Sequence, residues 1–118
     1  MTNLTTLKVT LRKGEASFKE AMNNALTYSQ YQVLAAVRDA ASTPNQFQLV
    51  VSTGIDRSTL SDVVRRLIAK QLLSRKRSRA DERAWELYLT EGGLKLLAQA
   101  EKKLRPIEKS LTLLEAAE

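Results

Sequence analysis

A chain of 118 residues is enough for one domain, at the usual ~100 to 200 residues per domain. With 43% hydrophobic and 27% charged residues but neither Cys nor His, it has a globular composition that excludes zinc sites, thiol redox chemistry, disulfides, Cys nucleophiles and His-based acid–base catalysis. Nineteen basic against 13 acidic residues leave a net charge of +6, which points to a polyanionic partner, either nucleic acid or an acidic membrane surface.

Along the chain, Leu7, Val9 and Leu11 alternate with Lys8, Thr10 and Arg12, a period of two that predicts a short strand or extended arm ending at Gly14. Phe18, Met22, Ala25 and Leu26 recur at helical spacing and predict a first helix from Glu15 to Leu26. Thr27 with Gln30 forms a capping box for a second helix, whose buried stripe is Tyr31, Val33, Leu34 and Val37, ending near Ala41. Thr43, Pro44 and Gln46 supply a cap, an N1 proline and a box partner for a short third helix to about Val51.

Ser52, Thr53 and Gly54 break that helix, and Asp56 caps a fourth with Leu60, Val63, Val64, Leu67 and Ile68 inward and Ser58, Asp62, Arg65 and Ala69 outward. Leu72 to Lys76 and Ala84 to Thr90 read as the strands of a hairpin with a charged tip, Arg77 to Arg83, and Trp85, Leu87 and Leu89 are expected on its core face. Thr90 caps a last helix in which Leu97, Ala100, Leu104, Ile107, Leu111 and Leu114 occupy heptad a and d positions. Pro106 inside that series predicts a kink or break near Arg105. No stretch approaches the ~20 apolar residues of a membrane span, and Met1 to Thr10 does not read as a signal peptide. A cytoplasmic location without a membrane partner is expected.

Helix, turn, helix and basic hairpin, in that order, make an α+β winged helix-turn-helix with a two- or three-stranded wing, the fourth helix entering a DNA major groove and the hairpin meeting backbone or minor groove. From Asp56 to Arg83 there are nine basic and four acidic residues, so this segment carries +5 of the total. The DNA-binding set is Arg57, Ser58, Thr59, Ser61, Asp62, Arg65 and Arg66 on the helix and Arg75, Lys76, Arg77, Arg79 and Arg83 on the hairpin. On this reading residues 1–118 are one domain, with a DNA-binding lobe at 27–90 and dimerisation segments at 1–26 and 91–118. The heptad stripe exceeds what one helix needs, so Phe18, Met22, Leu97, Leu104, Ile107, Leu111 and Leu114 are the candidate dimerisation residues.

The runs Asp56-Arg57-Ser58-Thr59-Leu60-Ser61, Val64-Arg65-Arg66-Leu67, Leu72-Leu73-Ser74-Arg75, Asp81-Glu82-Arg83-Ala84 and Leu89-Thr90-Glu91-Gly92-Gly93 resemble the central pattern of the MarR (multiple antibiotic resistance regulator) family of bacterial transcription factors. Leu26 to Leu34 is similar to that family's second-helix opening, and the resemblance covers about residues 26 to 100. It implies a homodimer that represses from a pseudo-palindromic operator and in some members is released by small anionic or phenolic ligands. It also implies that Arg83 enters the minor groove, with Asp81 orienting it or pairing with a cation of the fourth helix.

Three features depart from the pattern. Asp62 and Arg65 carry charges of exchanged sign and, three apart on one face, can pair with each other. The family usually continues through a further helix where this chain stops at Glu118, which argues against the family's ligand pocket and leaves a small-molecule effector open. The arm at Leu7 to Leu11 is not a typical opening and is a candidate dimer contact. Tyr28, Tyr31 and Phe47 are an alternative lining for a small-molecule pocket. No Ser/Lys or carboxylate pair stands out for hydrolysis, so no enzyme, cofactor or metal is expected. Two rivals to specific DNA binding stand beside it: a winged-helix protein-interaction module, antiactivator or antitoxin-like, and nonspecific architectural binding.

Overall fold

The protein is described from a computed structural model that covers the backbone of residues 14–81 and 83–116 and the side chains of this span apart from 107, 108 and 110–116. The arm at Leu7 to Leu11 lies outside the described residues. Helix α1 is described over residues 14–21 and buries Phe18. It stops well before Leu26 because Asn23 and Asn24 adopt left-handed backbone (φ 53° and 61°), a region Asn tolerates better than most residues. The amides of Asn23 and Asn24 return to the carbonyls of Glu20 (2.9 Å) and Lys19 (3.0 Å), the paired bonds that close a helix C-terminus. The chain then buries Met22 and Leu26 outside the helix, while Ala25, expected inward, is exposed.

Helix α2 runs Tyr28–Asp39, two residues short of the expected end, and buries Gln30, Val33, Leu34 and Val37, a spacing of three and four that lines one face. Tyr31, expected in this stripe, is only half-buried and Gln30 takes its place. Helix α3, Gln46–Thr53, is capped by Asn45 and not by Thr43: the Asn45 side chain accepts from the Gln48 amide at 2.8 Å and the Gln48 side chain accepts from the Asn45 amide at 2.9 Å. The start moves because the preceding residues are held by the wing. Pro44 offers its carbonyl to the Leu87 amide (2.8 Å), and the Thr43 hydroxyl donates to Glu86.

Gly54, at φ 74°, ends α3 with its amide on the Val50 carbonyl, and Asp56 caps α4, Arg57–Ala69, by accepting from the Thr59 amide at 3.0 Å. Leu60, Val63, Val64 and Leu67 are buried on α4, and Ile68 is half-buried. Strands β1, Leu73–Arg77, and β2, Trp85–Leu89, pair antiparallel with Leu73 opposite Leu89 and Arg77 opposite Trp85, one residue on from the expected first strand. The sheet has two strands, and the Pro44 carbonyl supplies a single backbone bond where a third would begin.

Thr90 precedes α5, Glu91–Ala116; its hydroxyl accepts from the Gly93 amide at 3.0 Å and donates to the Gln71 carbonyl at 2.7 Å. Helix α5 continues through Pro106 as one element, so the expected break does not occur. A proline removes one intrahelical donor, and the rungs on either side remain.

Among the described residues, five helices and one hairpin make an α+β winged helix. The chain falls into two compact units, Met1–Tyr28 with Ala98–Glu118, and Ser29–Leu97. Buried residues of the first include Phe18, Met22, Leu26, Ala100 and Leu104; in the second, Val33, Leu34, Leu49, Leu60, Leu67, Leu73, Leu87 and Leu97 form the core that carries α3, α4 and the wing.

Candidate nucleic-acid interface

The buried stripe of α4 decides what its other side presents. Once Leu60, Val63, Val64 and Leu67 face the core, Arg57, Ser58, Thr59, Ser61, Arg65 and Arg66 are exposed and Asp62 is half-exposed among them. Asp56 closes the first turn, and its bonds from Thr59 hold its carboxyl below the usual carboxylate range. Thr59 is therefore engaged at the cap. Ser61 is tied as well, its hydroxyl accepting from the Gln46 side chain and so linking α3 to α4.

The expected pairing of Asp62 with Arg65 is present, and a second cation joins it. One Asp62 oxygen accepts from Arg65 and the other from Arg66 Nε at 2.8 Å. The Arg65 bond, reinforced by Arg66, lowers the Asp62 carboxyl, which stays ionised through the neutral range. Arg57, by contrast, makes no ion pair among the described residues.

Trp85 is not in the core. The residue is 37% exposed, with the guanidinium carbons of Arg77 and Arg75 at 4.0 and 4.4 Å from its ring centroid. Alternation correctly puts Trp85 on one face with Leu87, but burial fades along that face: Leu73 and Leu87, near the base, are buried, whereas the outer pair Arg77 and Trp85 passes beyond the core. There the ring serves as a platform for two cations.

Lys76 stands opposite Glu86 on the other face of the hairpin. Glu86 accepts from the Thr43 hydroxyl, and together with the Ser78 hydroxyl and the charge of Lys76 this lowers its carboxyl below the usual range. Ser78 also shapes the tip, its hydroxyl accepting from the amides of Ala80 (3.2 Å) and Asp81 (3.3 Å) while its own amide donates to the Ala84 carbonyl at 3.0 Å. Arg79 and Arg83 are exposed on this tip. Asp81 does not pair with a guanidinium among the described residues; its carboxylate accepts the Arg83 backbone amide at 3.0 Å, so it sets the turn from which Arg83 projects.

Ser78 and Glu86 are thus positioning residues that sequence reasoning missed, while Thr43 and Gln46, expected as a cap and its box partner, instead hold Glu86 and Ser61. Thr43 and Glu86 are 43 residues apart, and a capping pattern at Thr43 gave a sufficient local reading of it. Phe47, 71% exposed on α3, lines a surface groove of about 280 Å³ with Val64, Ile68, Arg75, Trp85 and Leu87; neither Tyr28 nor Tyr31 shares it. Tyr28 instead meets the Phe18 ring edge-on at 5.7 Å. Of the candidate dimerisation residues, Phe18, Met22, Leu97 and Leu104 are already buried within one chain, and the side chains of Ile107, Leu111 and Leu114 lie outside the described residues. Among the described residues no helix is long and apolar enough to cross a membrane.

The arrangement offers guanidinium groups and hydroxyls on a helix and hairpin, with Asp62 as the carboxylate within the exposed face of α4, a set suited to binding an extended polyanion. The sequence profile described as Transcriptional regulator SarA/Rot matches residues 17–100. The HTH-type transcriptional repressor NicR of Pseudomonas putida KT2440 is 33% identical over 79 residues, covering 67% of this chain and 49% of NicR, so the match spans about half the length of that relative. Among solved structures, the transcriptional repressor CouR bound to a 23-mer DNA duplex is 30% identical, with a TM-score of 0.81 over 95% of this chain and 80% of CouR. The reduced form of MarR from E. coli superimposes with a TM-score of 0.82 over 95% of this chain and 84% of that one; at 23% identity it speaks for the fold, which is the MarR-type winged helix.

Proposed function

The chain belongs to the SarA/Rot family of transcriptional regulators, and on that premise we propose that it binds double-stranded DNA sequence-specifically, as a cytoplasmic homodimer that represses by occupying its operator. The observation that carries this is the concentration of exposed cations on two adjoining elements: Arg57, Arg65 and Arg66 on α4, and Arg75, Arg77, Arg79 and Arg83 on the wing. Helix α4 is the element of the right size and chemistry to lie in a major groove, with the wing on the flanking backbone. CouR, similar over nearly the whole chain, was solved on a DNA duplex, which supports the same use of the fold here. Two copies related by a two-fold axis present two such helices, so the operator should be an inverted repeat with half-sites about one helical turn, roughly 10 to 10.5 base pairs, apart.

Selection from random duplex DNA tests the proposal, followed by a salt series on the recovered site and sedimentation of the free protein. An enriched inverted repeat bound by a dimer is expected. Replacing Arg75, Arg79 or Arg83 by Ala should flatten the dependence of log K on log salt by about 0.9 for each phosphate that is no longer neutralised. Binding of all duplexes alike would instead mark an architectural protein. One observation favours the protein-interaction alternative: Phe47 and Val51, one turn apart on α3, are each 71% exposed. Failure to bind any duplex would select that reading.

A further inference from the structure

Asp62 occupies the middle of the exposed face of α4, and both of its carboxylate oxygens are taken, one by Arg65 and one by Arg66. The three- and four-residue spacings make all three side chains neighbours on the helix surface. All remain accessible, with side-chain exposures of 41% for Asp62, 77% for Arg65 and 66% for Arg66. Exposed ion pairs of this kind contribute little to folding. What the cluster changes is the field of the helix: two adjacent cations present one net positive charge, and their guanidinium donors are pre-engaged.

We propose that Asp62 is a specificity-determining residue that acts as an internal competitor of DNA phosphate for Arg65 and Arg66. This rests on the DNA-binding reading given above. On DNA of the wrong sequence, phosphate oxygens offer the two guanidinium groups nothing that the carboxylate does not already supply, and the carboxylate itself is repelled by the backbone. On the operator, base edges placed to take a fork of donors outbid the carboxylate, since a guanidinium matches the two acceptors of guanine in a geometry that one side-chain oxygen does not reproduce. Asp62 therefore lowers nonspecific affinity more than specific affinity, and the ratio of the two rises. Arg57, which has no such competitor among the described residues, is left as a sequence-independent phosphate contact on the same helix.

The protein and its Asp62→Asn and Asp62→Glu variants are titrated, across a salt series, against a random-sequence duplex and against the duplex recovered by selection. Asp62→Asn should bind the random duplex about five- to tenfold more tightly at low salt, with the slope of log K against log salt steeper by about one unit for each additional phosphate engaged. Affinity for the selected duplex should rise less, so the specificity ratio falls. Asp62→Glu, which keeps a carboxylate in reach of both arginines, should retain the wild-type slope and ratio. In an Arg65→Ala, Arg66→Ala background the gain from Asp62→Asn should shrink to the part owed to repulsion of the carboxylate by the backbone, because no guanidinium remains to release.

A gain in binding does not arise from misfolding. If Asp62→Asn leaves the random duplex unchanged, or weakens only the selected one, Asp62 is a base reader or a bystander and the proposal is overturned. Persistence of the full gain without the arginines would reduce the effect to simple repulsion and would also overturn it. Wild-type protein that binds neither duplex refutes the DNA-binding reading itself, an outcome separate from a wild type that binds and a variant that fails to gain.

Discussion

Gly92 and Gly93 look interchangeable in the sequence, yet only at Gly93 should replacement by Ala cost stability. A Cβ at Gly93 would lie 2.0 Å from the Leu72 carbonyl oxygen and 3.0 Å from its carbon, and the obstacle is backbone. Leu72 cannot yield freely, because its carbonyl accepts the Thr90 amide at 3.3 Å and Thr90 also donates to the Gln71 carbonyl at 2.7 Å. Accommodating the methyl costs about 1 to 3 kcal/mol as overpacking. Breaking the Thr90 to Leu72 bond adds about 0.5 to 1.5 kcal/mol. Alanine's helix preference returns about 1 kcal/mol, leaving a net loss of about 0.5 to 3.5 kcal/mol. At Gly92 the nearest atom is 3.7 Å away, an ordinary van der Waals distance, so Gly92→Ala should be neutral or stabilising. Urea denaturation followed by circular dichroism reads both variants through the shift in midpoint at constant slope. A Gly93→Ala protein as stable as Gly92→Ala would show that α5 does not press its first turn against the Leu72 carbonyl.

Three further outcomes follow from the same structure. Trp85→Ala should weaken DNA binding about two- to fivefold, matching the loss of about 0.5 to 1 kcal/mol of exposed cation–π interaction, while Trp85→Phe recovers part of it; fluorescence anisotropy of a labelled duplex measures this, and a full-strength Trp85→Ala protein would count against the platform. Gly54→Ala meets no atom within 4 Å, but at φ 74° it should lose about 1 to 2 kcal/mol, with Gly54→Asn less affected, by the same urea assay. The Glu86 carboxyl, held low first by the Thr43 hydroxyl, contributes stability that is present above the ordinary Glu range and is lost as pH falls through its depressed folded value. Thr43→Val should therefore be less stable than wild type at neutral pH and converge on it in acid, and a stability gap that persists unchanged on acidification would refute the linkage.

The elements legible in the sequence were those whose signals are local. The Asp56 cap, the Gly54 turn, the inward residues Leu60, Val63, Val64 and Leu67 of α4 and the Thr90 cap each involve residues within a turn or two of one another, and each stands where the pattern puts it; of the expected core face of β2 only Leu87 is buried, Leu89 being half-buried and Trp85 exposed. The surplus of arginines between Asp56 and Arg83 is likewise a property of the chain before it folds. The partner of Asp62 at Arg65 followed from helical spacing, and Arg66 one residue further was within reach of the same rule.

Tertiary structure decided whatever depended on a neighbour far along the chain. Thr43 and Pro44 carry the signature of a helix start, but they bond to Glu86 and Leu87 outside any helix, and the helix begins instead behind Asn45. Alternation assigned Trp85 to a face but could not say how far along the hairpin the core extends, and beyond its edge an aromatic ring covers itself with arginines. Asp81 lies beside Arg83 in sequence, and only the folded turn directs its carboxylate to the backbone amide and not to a guanidinium. Local patterns rank the conformations available to a short segment by fractions of a kcal/mol to about 1 kcal/mol per signal. A long-range hydrogen bond or the limit of a buried core is of the same size, so where the two disagree the packed molecule sets the outcome.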